Sequence, residues 1–156
     1  MKLAAVVVLY HPGEDLTGNI NSYLPQVDKL LLWDNTPEGE KKQLPLSEIC
    51  HPERLEYRGC GRNVGIGIAL NDAVDYARKN GFTHLLTLDQ DSFFLDGEFR
   101  RYMTAVRGYG EDEQTIFSVN YFIKSQQSSL YPVVDTVDKV LSLIHISEPT
   151  RHAQIS

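Results

Sequence analysis

Seven consecutive apolar residues, Leu3–Leu9, open the chain, and three of them are β-branched valines. Such a run predicts a strand buried on both faces. Leu16, Ile20, Tyr23 and Val27 then recur at helical spacing, with Pro25 near the end of the segment. Lys29–Trp33 reads as a second short strand, followed by the turn-rich loop Asp34–Glu40 with Pro37 and Gly39. Leu55–Tyr57 reads as a third, weaker strand. Ile66, Ala69, Leu70, Ala73, Val74 and Ala77 mark a strong amphipathic helix. Asn80-Gly81 stops it, Gly81 being suited to the left-handed position after a helix. His84–Leu88 predicts a fourth strand, Phe99–Val106 a helix, and Thr115–Phe122 a fifth strand. No internal repeat and no low-complexity segment interrupts this order.

Strands alternating with helices predict an α/β fold, a mostly parallel sheet flanked by helices on both faces. In such sheets ligands bind beyond the carboxyl ends of the strands. Those ends carry Tyr10 and His11 after the first strand, Asp34, Asn35 and Thr36 after the second, Gly59–Gly65 after the third, and Asp89, Gln90, Asp91 and Ser92 after the fourth. Every one is polar or glycine-rich while the strand bodies are apolar, and this clustering locates a candidate site.

Composition narrows the partners. With 156 residues, 42% apolar and 23% charged, the chain suits one globular domain. Lys+Arg is 15 against Asp+Glu 21, a net charge of −6. That balance argues against general nucleic-acid binding, which needs clustered Lys and Arg. Lys41-Lys42 and Arg100-Arg101 are isolated pairs that read as solvated faces. The longest apolar run, Leu3–Tyr10, falls far short of a transmembrane segment, and no small-residue cleavage site follows it. Cys50 and Cys60 have neither a disulfide framework nor metal-ligand spacing, and read as reduced thiols. The expected location is cytoplasmic, with peripheral attachment at the inner face of the cell membrane left open.

Asp89-Gln90-Asp91 follows an apolar strand, where the chain turns and two acids one residue apart can face one ligand. They suit a hard divalent cation, Mg²⁺ or Mn²⁺, which is often held by one or two carboxylates together with water and phosphate oxygens. The motif alone is a weak signal; solvated loop acids read the same way, and its context carries the case. Asp34 and Asn35 suit the edge of a base or a ribose hydroxyl, or simple turn chemistry. Gly59-Cys60-Gly61-Arg62-Asn63-Val64-Gly65 lacks both G-x-G-x-x-G spacing and a P-loop Lys. It suits either a flexible turn or an anion site at the start of the next helix. His11 beside Pro12 reads more simply as a surface turn residue than as a ligand group.

The segment Leu141–Arg151, LSLIHISEPTR, resembles a translated sequencing adaptor: one permitted codon choice spells the transposon-end sequence used in shotgun libraries. On that resemblance residues 141–156 are expected to be a non-native tail, and the natural reading frame is expected to be cut near Val140.

Four segments, VVVLYHP, LLLWDNTPE, GRNVGIGIALNDAVDYA and THLLTLDQDS, resemble the inverting family 2 glycosyltransferases, and most of all their rhamnosyltransferase-like branch. The resemblance covers roughly Lys2–Ser125. It implies the Rossmann-like, nucleotide-binding half of a glycosyltransferase-A fold, truncated, with residues 1–140 forming the incomplete nucleotide-sugar-binding part. It implies transfer of a sugar from a nucleoside diphosphate, dTDP-rhamnose or a UDP-sugar, to a saccharide or lipid-linked acceptor hydroxyl with inversion, in polysaccharide biosynthesis. By the same resemblance Tyr10 and His11 sit beside the base or ribose, and Asp34 and Asn35 where the family's acidic pair meets the base. Here the second position is Asn, which weakens any statement about base identity. Arg62, Asn63 and Gly65 match the loop over the nucleotide, and Asn71 a polar helix position facing the site. Asp89 matches the acid near ribose and metal, and Asp91 the direct metal ligand. None of Asp96, Glu98, Glu111, Asp112, Glu113, Asp135 and Asp138 matches the family's general base, which is expected downstream in the missing half. The chain as it stands is expected to bind donor nucleotide at best and to transfer sugar poorly or not at all.

Three other readings compete. In a haloacid-dehalogenase-like phosphotransferase an Asp-x-Asp-x-Thr/Val strand end supplies a nucleophile, but Phe93 stands where Thr or Val is wanted. A sugar-nucleotide pyrophosphorylase wants a Gly-rich, basic loop after the first strand, where Tyr10-His11-Pro12 stands. The third is a non-catalytic nucleotide-binding domain.

Overall fold

In the computed structural model, the described residues are 1–108, together with the backbone of four short strands beyond them. The elements run β1 (Leu3–Leu9), α1 (Leu16–Asn21), β2 (Lys29–Asp34), β3 (Leu55–Gly59), α2 (Ile66–Lys79), β4 (His84–Asp89) and α3 (Glu98–Gly108). Strands β3, β2, β1 and β4 pair in that order, all parallel. The expected α/β class with a parallel sheet is therefore what the chain forms.

Period-two alternation divides β1 between two cores. Leu3, Ala5, Val7 and Leu9 join Leu30, Leu32, Leu86 and Leu88 on one face of the sheet. There they meet Leu16, Ile20, Tyr23 and Leu24 from the α1 region and Phe99, Tyr102, Met103 and Val106 from α3. Ala4, Val6, Leu31 and Leu85 face the other way, against Ala73 and Ala77 of α2 and Phe82. The inward stripe of α2 is Ala69, Ala73 and Ala77, each fully buried. Small side chains at every fourth position let this helix lie close on the sheet. Both faces are thus covered, which is why β1 and β2 read as unbroken apolar runs rather than as alternation.

Two local expectations change. The helical spacing Leu16–Val27 resolves into α1, ending at Asn21, and a separate 3-10 turn at Leu24–Gln26. Pro25 has no N–H with which to continue the helix, and the chain leaves helical geometry at Tyr23, φ −128°; Tyr23 and Val27 are buried all the same. Strands β2, β3 and β4 each run one or two residues past their apolar bodies, to Asp34, Gly59 and Asp89. Parallel pairing continues through these polar ends, because a strand's backbone is indifferent to the side chain it carries. Gly81 adopts φ +69°, as expected of the residue that ends α2.

The strand expected over Thr115–Phe122 lies largely outside the described residues; β5 (Ile116–Phe117) and β6 (Phe122–Ile123) are its described parts. Strand β6 pairs antiparallel with β7 (Ser128–Ser129). Strand β8 (Leu143–His145), inside the segment that resembles an adaptor, pairs antiparallel with β4 and with β5. The rest of residues 141–156 lies outside the described residues. Cys50 and Cys60 are free thiols. Among the described residues no helix is long and apolar enough to cross a membrane.

Candidate functional site

The register brings the strand ends level. Leu9 pairs with Asp34, Asp34 with Gly59, and Val8 with Asp89. From β1 the chain winds outward to β2 and β3. It then returns through α2 to lay β4 on the opposite side of β1. The direction of winding therefore switches between β1 and β4, and α1 and α2 cover opposite faces. Crevices at such switch points are where open α/β sheets take ligands.

Gln90 ties the turn after β4 to the end of β1. Its Oε1 accepts the Tyr10 N–H at 2.8 Å, and its Nε2 donates to the Tyr10 carbonyl at 3.2 Å. Asn19 of α1 donates to the Gln90 carbonyl at 3.2 Å. The Ser92 N–H donates to the Asp89 carbonyl at 3.0 Å, turning the chain, and the Phe94 N–H donates to Ser22 Oγ at 3.0 Å. The Asp89-Gln90-Asp91-Ser92 turn is thereby fixed by its backbone and by Gln90, leaving both carboxylates free. Asp89 and Asp91 are exposed, and neither side chain has a hydrogen-bond or ion-pair partner among the described residues.

That state fits a hard cation. Two unpaired carboxylates on a rigid turn can take one without breaking existing bonds. Among the described residues no three His, Cys, Asp or Glu converge, so the remaining ligands would be water or substrate oxygens. Gln90→Leu should leave the core intact, costing about 1 kcal/mol of stability. It should weaken any binding of Mn²⁺ by the two carboxylates about tenfold, an outer-contact effect, as read by calorimetry. Unchanged binding would show that the turn holds its shape without the clasp.

Asp34 and Asn35 are brought to the same edge but are buried, each 3% exposed. Asp34 Oδ1 accepts the Thr36 N–H at 2.8 Å, and Oδ2 accepts the Tyr57 hydroxyl. Burial first, then the hydrogen bond and charge of Asp34, push the Tyr57 hydroxyl well above the usual tyrosine range. It is therefore a neutral donor at any physiological pH. Asn35 Oδ1 accepts the Trp33 indole N–H and the Val64 N–H, each at 3.3 Å. Asn35 thus ties the end of β2 to the glycine-rich loop. In that loop Gly61 and Gly65 take φ +72° and +82°. Asn63 Oδ1 accepts the Gly65 N–H at 2.9 Å, forming the turn into α2. No side chain caps α2, its first turn holds no acid, and Arg62 is exposed with no ion-pair partner among the described residues.

Tyr10 and His11 leave β1 together, ring edge to ring face at 4.3 Å. His11 takes φ +46°, its N–H donates to Thr36 Oγ1 at 3.0 Å, and its Nε2 lies 3.1 Å from a Glu40 carboxylate oxygen. Its imidazole latches the loop after β2. Asn71 stands apart, exposed on α2 with no hydrogen bond to any other candidate. Sequence reasoning places Gln90 at the fourth strand end without a role and misses Asn19 and Tyr57; these three position the rest. Gln90 has a sequence signal, a polar tip beside a strand end that names no partner, whereas Asn19 lies within α1 and Tyr57 within β3.

A cavity of about 450 Å³ lies between the Leu24–Gln26 turn and α3, lined by Asp28, Arg54, Arg100 and Arg107 among others. Asp28 and Arg54 precede β2 and β3, at the opposite edge of the sheet. Arg54 spends its guanidinium on the carbonyls of Pro25 and Val27, each at 3.0 Å.

No protein-family model matches the chain. No curated protein matches it in sequence. Among solved structures, the crystal structure of S. aureus TarS 1-349, a glycosyltransferase, matches 76% of this chain with a TM-score of 0.55 at 16% identity. The fold is glycosyltransferase-like. A further crystal structure of S. aureus TarS matches 70% of the chain with a TM-score of 0.51, also at 16% identity. The chain spans about a third of the length of the first of these, 36%, and 20% of the second. At this identity the likeness establishes the glycosyltransferase-like architecture alone.

Proposed function

We propose that the chain is the donor-binding part of a metal-assisted glycosyltransferase that takes a sugar from a nucleoside diphosphate. One observation carries the reading. Within a glycosyltransferase-like fold, the two unpartnered carboxylates Asp89 and Asp91 stand at the sheet's switch point, level with the buried acceptor Asp34. Asp91 and Asp89 would hold Mg²⁺ or Mn²⁺. When bound, the ion would offset the negative charge that develops on the departing diphosphate. Arg62 and the uncapped first turn of α2 suit the same phosphates. Tyr10, Asp34 and Asn35 suit the base and its ribose, His11 keeping the neighbouring loop in place.

The proposed donor is dTDP-rhamnose or a UDP-sugar, and the acceptor a saccharide or lipid-linked hydroxyl. Transfer with inversion needs a general base across the anomeric carbon from the leaving group, and this reading assigns that role to none of residues 1–140. Calorimetric titration of UDP and dTDP, with and without Mn²⁺, tests the donor site. Binding strengthened by the metal is expected. A folded sample without metal-dependent binding would sink the reading, and a phosphoryl group trapped on Asp89 would replace it with phosphotransfer.

A further inference from the structure

We propose that the Tyr57 hydroxyl holds the place of the nucleotide's base on Asp34, and that a ring imide N–H displaces it when a uracil or thymine nucleotide binds. The inference rests on the donor-site reading and names the event by which that site opens.

The two hydrogen bonds to the Asp34 carboxylate differ in kind. The Thr36 N–H belongs to the turn two residues on, at 2.8 Å, and has no reason to move. The Tyr57 hydroxyl comes from another strand. Tyr57 pairs with Leu32 across β2 and β3, so its ring leans along the sheet toward Asp34, two residues further on. That ring is 44% exposed, while the carboxylate beneath it is 3% exposed. A half-exposed donor therefore covers a buried acceptor that already has its other oxygen in use.

Burial dictates exchange rather than addition. Asp34 is nearly closed to solvent, at 3% exposure, and both its oxygens already accept hydrogen bonds, so a ligand reaches it by taking the place of the tyrosine. A buried carboxylate stripped of a donor is costly, so the incoming group must itself donate. The imide N–H of uracil or thymine is a neutral single donor on a flat ring, matching the phenol it replaces. Tyr10, 48% exposed at the end of the adjacent strand, offers that ring an aromatic face. Lys41 lies 5.9 Å from the Tyr57 ring centroid and 2.8 Å from Glu38, so the loop after β2 borders the tyrosine on its open side.

Tyr57→Phe keeps the ring and deletes the donor. The free variant should be less stable, because Asp34 loses a partner, yet it should bind UDP roughly tenfold more tightly. A purely structural tyrosine would lower both stability and affinity. Binding can be followed by calorimetry and by the fluorescence of Trp33, the chain's one tryptophan, whose indole sits on Asn35. UDP methylated at N3, which has no imide N–H, should show no such gain. In the unsubstituted protein the Tyr57 ¹³Cζ resonance should shift on adding UDP, a readout that does not depend on the variant folding. Equal or weaker UDP binding by Tyr57→Phe overturns the exchange and leaves the donor-site reading standing. So does an equal gain for the methylated nucleotide, or an unmoved resonance with UDP bound. Folded proteins that bind neither nucleotide overturn both.

Discussion

Gly59→Ala is expected to destabilise the chain by about 3 kcal/mol, the upper end for forcing a methyl group into a filled space. The position ends β3 and pairs with Asp34 of β2. A Cβ built there lies 2.6 Å from the Asp34 carbonyl oxygen and 3.5 Å from both the Asp34 carbonyl carbon and its Cβ. The obstructing atom is backbone in a strand with partners on both sides, so it cannot swing aside as a side-chain tip would. Relief requires β3 to separate from β2 at the point where Asp34, Tyr57 and the glycine-rich loop meet. The urea midpoint should fall with an unchanged slope, and Tyr57 should lose its register with Asp34. Gly65, by contrast, has no atom within 4 Å of an added Cβ, so alanine there carries only the strain of its positive φ. A Gly59→Ala protein with the original midpoint would show that β2 and β3 part more easily than the sheet implies.

Asp91→Ala should do the reverse, leaving stability within about 0.5 kcal/mol while lowering Mn²⁺-dependent nucleotide affinity roughly a hundredfold. Contacts one shell out from a metal are worth about 10–100-fold, so a direct ligand should reach at least the top of that range. The stability half follows from Asp91 being exposed and making no hydrogen bond or ion pair among the described residues. Asp89→Ala should act in the same direction, and Asp91→Asn, which keeps one oxygen, should retain part of the affinity. The measurement is a UDP titration at fixed Mn²⁺ beside a denaturation curve. Metal-dependent affinity that survives Asp91→Ala would remove the residue from the metal site. Equal loss of folding would make it structural.

The two substitutions separate what was legible in the chain from what was not. Asp91 could be singled out from sequence, because an acid one residue beyond another at the end of an apolar run is a local pattern. The weight of Gly59 could not. Its sequence neighbours, Arg58 and Cys60, say nothing of a carbonyl 25 residues earlier that lies 2.6 Å from its missing Cβ. Asp34 shows the same divide. Its place at a strand end was readable, but its burial and its bond to Tyr57 depend on β3 lying beside β2. Gln90 reads in the sequence only as a polar residue at a strand end; with β4 laid against β1 it meets both polar atoms of the Tyr10 backbone, 80 residues away in the chain.

Hydrophobic periodicity by itself determined the α/β alternation, the four parallel strands, the long helix Ile66–Lys79 and the polar character of every strand end. These follow from short-range patterns, since burial on one or both faces is written into neighbouring residues. Only the tertiary structure decided the strand order β3-β2-β1-β4, the switch point between β1 and β4, and which polar groups are spent on one another. Those depend on pairings between segments distant in the chain, and no local spacing records them. Asp89 and Asp91 remain free and Asp34 does not, because the turn after β4 is held by its backbone and Gln90, whereas the end of β2 lies between two strands.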